Sequence, residues 1–176
     1  MMPKLRKMLG SADSQECISL LRLMETQNKT TLAAWAVDFA KNNYLKIYEN
    51  ECPGDTRLTH TVTACEECIK GSRKLTEIKP LLKASVQLAR EAADNPTAQA
   101  AARAVSTACS ALQTPTNALG FLFYGAAASA YSQAGLAAET EVYEHIACEE
   151  FKKALQALQQ AAVADEPNPV KIKWNC

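Results

Sequence analysis

Two cysteines and a histidine in one short segment offer the most chemistry in this sequence. The segment "HTVTACEEC" contains His60, Cys65 and Cys68. A Cys-x-x-Cys pair binds zinc where a second pair of ligands lies downstream. The sequence has no second such pair, and the other histidine, His145, is far along the chain. In a helix, Cys65 and Cys68 share a face with apolar residues, which favours core packing. A small metal- or thiol-dependent enzyme using these three residues stays as an alternative.

Other catalytic arrangements find little support. Nucleophilic catalysis needs a serine or cysteine beside a histidine and a third orienting group, and there is no nucleophile elbow. Glu141 and His145 lie four residues apart, a spacing more typical of a surface hydrogen bond than of an acid–base dyad. No glycine-rich phosphate loop is present. We therefore predict no catalytic residue, no metal ligand, no cofactor and no enzymatic activity.

The composition excludes several classes of protein. A chain of 176 residues is long enough for one domain with a core. Its 19 lysines and arginines balance 19 aspartates and glutamates, which argues against a nucleic-acid partner. No run of about 18 apolar residues predicts a membrane span, and no apolar run follows the basic N-terminus as in a secretory signal. Seven scattered cysteines fit a reducing compartment, so we expect a cytoplasmic location.

Apolar periodicity, broken by glycine and proline, predicts an all-α fold of about seven helices. Asp13 is expected to cap the first helix, Pro80 to lie in the first turn of the fourth, Asn95 and Pro96 to start the fifth, and Gly135 to end the sixth. The predicted helices cover residues 14–27, 31–50, 55–70, 76–92, 96–113, 115–134 and 136–162. Residues 1–164 are predicted to form one helical domain, and residues 165–176 an extended tail.

The middle of the chain carries no charge between Arg103 and Glu139. Its apolar part, "ALGFLFYGAAASAY", is too short to cross a bilayer, and a helix that is apolar all round is buried in a bundle. We predict a single irregular bundle around this central helix, with Gly120 and Gly125 allowing close approach of its neighbours. The alternative is that the uncharged stretch forms a surface that packs against a partner, and a homodimer is one such arrangement.

The tail alternates Val170, Ile172 and Trp174 with lysines. A two-residue period is typical of extended backbone with one apolar side. We expect the tail to dock onto the bundle; addition to the sheet edge of a partner is the alternative.

The start of the last helix is acidic and contains no lysine or arginine. A helix dipole favours carboxylates at this end, and the same groups would steer a basic partner. We treat it as a candidate acidic partner face. Its members are Glu139, Glu141, Glu144, Glu149 and Glu150.

An arginine stands at an unfavourable place in "CPGDTRL". Arg57 falls in the first turn of a predicted helix, where the positive end of the dipole repels a cation. Asp55 is expected to be occupied with capping. We therefore predict that Arg57 pairs with Asp38 on the preceding antiparallel helix and that Trp35 covers the pair. Such a cluster would fix the angle between the two helices.

The same residues carry a family resemblance. The segment "LAAWAVDFAKNNYLKIYE", followed by "CPGDTRL" and alanine-rich helices, resembles the immunity-five-like family of all-helical immunity proteins of bacterial polymorphic toxin systems. That family has a Trp-Ala motif on one helix and a Pro-x-Asp-x-Arg turn into the next. The resemblance covers about residues 31–162, and the sequence departs from the pattern at Leu58, where the family usually has proline. The matching residues are Trp35, Ala36, Asp38, Pro53, Asp55 and Arg57.

The resemblance implies a cytoplasmic bacterial antitoxin that binds and neutralises a cognate toxin domain without chemistry. The resemblance implies that the motif of Trp35, Asp38, Asp55 and Arg57 either binds the partner or fixes the packing of the helices. The acidic partner face is a second candidate for contact with the toxin. A generic helical scaffold or adaptor is the alternative, beside the enzyme that uses His60, Cys65 and Cys68.

Overall fold

Local capping signals mark the start or the end of several helices. The Asn95 side chain accepts a hydrogen bond from the Ala98 N–H at 3.0 Å, and Pro96 takes the first helical position. Gly135, with φ of 77°, ends the central helix. Two details of the prediction are wrong. Ser14 rather than Asp13 caps the first helix, and Pro80 lies in the second turn of a helix that begins at Leu75.

The computed structural model describes residues 4–174, which contain seven helices and no strand, so the predicted all-α bundle is confirmed. The second helix is continuous through one π-helical stretch at Lys41–Leu45, between segments Lys29–Ala40 and Lys46–Glu51. These three segments together are α2. The other helices are α1 (Gln15–Met24), α3 (Arg57–Ile69), α4 (Leu75–Glu91), α5 (Pro96–Ser110), α6 (Asn117–Ala134) and α7 (Thr140–Ala161).

The predicted central helix is α6. Every residue from Ala118 to Tyr131 except Tyr124 is buried, and the helix packs against α2, α5 and α7. On the α2 side, Phe121 makes edge-to-face contact with Trp35 at 5.6 Å between ring centroids. The stretch between Arg103 and Glu139 contains the helix at the centre of the bundle, and burial of that helix explains its lack of charged residues, as predicted.

A glycine in α6 makes room for an aromatic ring from the π-helical stretch. A Cβ atom on Gly125 would lie 2.2 Å from ring atoms of Tyr44, which is fully buried. The Tyr44 hydroxyl donates to the Oε1 of Glu150 at 3.0 Å, so this contact links α2, α6 and α7. The predicted close approach at Gly125 is thus made by Tyr44.

The tail docks onto the bundle as predicted, as far as residue 174. The Val170 N–H donates to the Gln27 carbonyl at 2.9 Å, and Ile172 is buried. Trp174 stacks on Phe123 of α6 with ring centroids 4.9 Å apart. The last two residues of the predicted tail lie outside the described residues.

Candidate functional site

Arg57 is held between two carboxylates at the start of α3. Its Nε and Nη2 donate to Asp55 at 3.0 and 2.8 Å, and its Nη1 and Nη2 donate to Glu91 of α4 at 3.2 and 2.7 Å. Asp55 also accepts the Arg57 backbone N–H at 3.1 Å and the Tyr48 hydroxyl at 2.8 Å. Four of the five N–H groups of the guanidinium are thereby used, although its side chain is 57% exposed.

These contacts correct the predicted Trp35–Asp38–Arg57 cluster. The carboxylates that bind Arg57 are Asp55 and Glu91, whereas Asp38 is exposed on α2. Trp35 is buried against aromatic side chains and covers no ion pair at this turn. The two oxygens of the Asp55 carboxylate allow it to accept the helix N–H and still pair with Arg57, so no carboxylate from α2 is needed.

The hydrogen bonds and charges of this network shift the pKa values of its members. Hydrogen bonds from Arg57 hold the pKa of Asp55 well below its usual range, and burial together with the Asp55 hydrogen bond holds the pKa of Tyr48 well above its own. Asp55 and Glu91 together raise the pKa of Arg57, Asp55 having the larger effect. At neutral pH, Asp55 is therefore ionised, Arg57 is positively charged and Tyr48 is neutral.

Further carboxylates extend this surface along the end of α2. Glu49 accepts the Thr59 hydroxyl at 2.9 Å, and Glu51 accepts the Asn95 amide at 3.0 Å. Both glutamates are exposed. We call the whole set the motif surface, and it has four carboxylates against one guanidinium. Its members are Glu49, Glu51, Asp55, Arg57 and Glu91.

The predicted acidic face of α7 is smaller than the sequence indicated. Glu139, Glu141 and Glu144 are exposed, and Glu149 pairs with Lys152 at 3.1 Å. Glu150 is buried, where it accepts the Tyr44 hydroxyl and pairs with Lys153. Glu150 therefore belongs to the core contact of α7 rather than to a partner face.

The cysteine segment is partly packed into the core. His60 is exposed, Cys65 is fully buried and Cys68 is half-buried against the core. Burial raises the pKa of Cys68, and a hydrogen bond with Cys65 together with burial raises that of Cys109 in α5, so these thiols are poor nucleophiles. Across residues 4–174, no three His, Cys, Asp or Glu side chains come together as a metal site would require. Core packing is thus the role that these contacts support.

The chain is an all-helical bundle with a preorganised charged surface at a Pro-x-Asp-x-Arg turn, and over the described residues none of its helices meets the length and apolarity of a membrane span. A family described as "Imm-5 like putative immunity protein" matches residues 22–157. The chain therefore belongs to this family of immunity proteins, which implies a protein partner and is consistent with a non-enzymatic role. No curated protein and no solved structure matches the chain.

Proposed function

We propose that this protein is a cytoplasmic antitoxin that binds a cognate toxin domain of a bacterial polymorphic toxin system and neutralises it without chemistry. The observation that carries the proposal is family membership over residues 22–157. An inhibitor that acts by occupying a surface needs no catalytic residue, which suits the poor nucleophiles described above.

We assign the toxin contact to the motif surface. Arg57 is exposed but already immobilised by Asp55 and Glu91, so a partner would bind it at a small cost in side-chain entropy. Arginine is also among the residues that contribute most to binding energy at interfaces. The prediction that Trp35 contacts the partner is not retained, because the side chain is buried against α6.

The charge of the motif surface defines the chemistry of the partner. The exposed carboxylates of Glu49 and Glu51 have hydrogen-bond partners, but neither pairs with a lysine or arginine within residues 4–174. Complementary charge speeds encounter and selects partners. The toxin surface that binds here should therefore be basic, and its association should slow as salt concentration rises.

Co-expression tests the proposal. The chain is produced in a bacterial host together with each toxin domain encoded by a neighbouring gene, and growth is measured. We expect rescue from one of them. Purified proteins then give the dissociation constant, and Glu49→Lys/Glu51→Lys should weaken binding about tenfold to a hundredfold.

A matched charge reversal at the start of α7 is the control. Glu139→Lys/Glu141→Lys changes net charge by the same amount at two exposed positions, the N-cap and the first turn of α7. We expect it to leave the dissociation constant within about twofold. If this variant is the one that loses rescue, the contact lies on α7 and the motif surface is the wrong assignment. If the unaltered chain rescues cells from no neighbouring toxin candidate, the antitoxin proposal is refuted in favour of a helical scaffold.

A further inference from the structure

Two adjoining grooves run between α4 and the α5–α6 pair. One has a volume of about 360 Å³ and is lined by residues that include Arg90, Arg103, Thr107 and Tyr124. The other, about 320 Å³, is lined by residues that include Lys79 and Lys83. Val86 and Ser110 line both grooves, so the two form one continuous depression, which we call the basic trench. Each volume lies at the lower end of the range for small-molecule sites.

The basic trench collects positive charge without any carboxylate. Lys79, Lys83, Arg90 and Arg103 line it, and no aspartate or glutamate does so among the described residues. None of these four cations forms an ion pair within residues 4–174. The whole chain has equal numbers of acidic and basic residues, so this concentration of one sign is local.

Arg103 is the most informative of the four. It is half-buried on α5, next to the charge-free part of the sequence, whereas Lys79, Lys83 and Arg90 are exposed. Of the six arginines within residues 4–174, Arg57 and Arg73 are paired with carboxylates of the chain and the other four, Arg103 among them, are not. An anion at Arg103 would supply the missing partner.

Four hydroxyl groups line the same groove as Arg103, and two of them have no hydrogen-bond acceptor in the described part of the chain. The hydroxyls of Ser106 and Ser110 already donate to backbone carbonyls at 3.3 and 2.9 Å. The hydroxyls of Thr107 and Tyr124 donate to no other group in the described part of the chain, so they remain available to an incoming acceptor. Guanidinium and hydroxyl donors around one point are the groups that bind phosphate oxygens.

We propose that the basic trench binds a small ligand carrying two phosphate groups. One phosphate lies between Arg103 and Arg90 within reach of the free hydroxyls, and the second lies toward Lys79 and Lys83. This inference is separate from the antitoxin proposal, because none of the trench residues belongs to the motif surface.

Titration calorimetry of the full chain at constant ionic strength tests the assignment, with orthophosphate, pyrophosphate and adenosine as probes. We expect saturable binding of both anions, tighter for pyrophosphate, and none for adenosine. Arg103→Gln should weaken both anions about tenfold or more. Lys79→Gln/Lys83→Gln should reduce the affinity for pyrophosphate to that for orthophosphate.

Matched controls remove the same charges elsewhere. The controls are Arg22→Gln on α1 and Lys46→Gln/Lys70→Gln, which change a residue of α2 and the C-cap residue of α3. All three residues are exposed, and each control should leave both affinities within about twofold. Thr107→Val tests the same site if Arg103→Gln does not fold, and it should weaken both anions severalfold.

Three results would overturn the assignment. The first is no saturable binding of either anion. The second is an equal loss of affinity in the trench and control variants. The third is binding of a single-stranded oligonucleotide by a chain that ignores both small anions.

Discussion

Gly125→Ala is the sharpest test of the packing of α6. The added methyl group would lie 2.2 Å from the Cε2 and Cζ atoms of Tyr44 and 2.7 Å from its hydroxyl oxygen. Carbon atoms in contact are about 3.5–4.0 Å apart, so the ring must retreat by more than about 1 Å within a fully buried site. Such overpacking costs about 1–3 kcal/mol.

The displaced ring would also lose its hydrogen bond. Moving the Tyr44 hydroxyl away from Glu150 leaves buried polar groups without partners, at about 1–3 kcal/mol. Replacing glycine by alanine in a helix in itself stabilises the folded state by about 1 kcal/mol, because alanine has the higher helix propensity. The net loss in the free energy of unfolding is therefore about 1–5 kcal/mol, and a central value of about 3 kcal/mol lowers Tm by about 6–12 °C.

Gly120→Ala is the matched control on the same helix. Its methyl group would lie 3.2 Å from the Trp174 ring, which belongs to the tail and can shift by the few tenths of an ångström needed. Its free energy of unfolding should stay within about 1 kcal/mol of the unaltered chain. Urea unfolding followed by circular dichroism compares the variants. If Gly125→Ala is as stable as the unaltered chain, the argument from the Tyr44 contact is refuted.

Three further changes test other contacts. Asp55→Asn should make the free energy of unfolding depend less on pH at acid pH. The pKa of Asp55 is lowered in the folded state, so the stabilisation by its carboxylate is complete above the unfolded pKa of about 3.9 and is lost as pH falls below that value. Thermal unfolding of both chains across this pH range measures the difference. Glu150→Ala leaves the Tyr44 hydroxyl buried without its acceptor and should lower the free energy of unfolding by about 1–3 kcal/mol in urea, whereas Glu150→Gln should lower it less. Trp174→Ala removes an aromatic stack on α6, so limited proteolysis read by mass spectrometry should show faster cleavage of the tail; an unchanged cleavage rate would contradict its docking.

The helices were predictable because their signals are local. Asn95 acts through its side chain on the first turn of its own helix, and Pro96 and Gly135 act through their own backbone. The uncharged stretch that includes Phe121 has one stable place in a bundle. The wrong cap at Asp13 has the same origin, since Ser14 is an equally good capping residue one position later.

The partner of Arg57 was not predictable from local pattern. Glu91 is 34 residues away, and only the packing of α4 against α3 brings it to the turn. The burial of Glu150 had a usable signal that was missed. It lies beside the buried stripe of α7 that includes Ala147, Phe151 and Ala154, so helical spacing alone places it on the inner face.

Two neighbouring residues at the end of α4 separate the two proposed surfaces. Glu91 binds Arg57 on the motif surface, whereas Arg90 lines the basic trench. Successive residues point about 100° apart around a helix, so adjacent positions of opposite charge serve different faces. Arg103→Gln should accordingly weaken phosphate binding and leave rescue by co-expression unchanged, while Glu49→Lys/Glu51→Lys should do the reverse. If the Arg103 variant is folded by circular dichroism but loses both rescue and phosphate binding, then the toxin and phosphate share one surface.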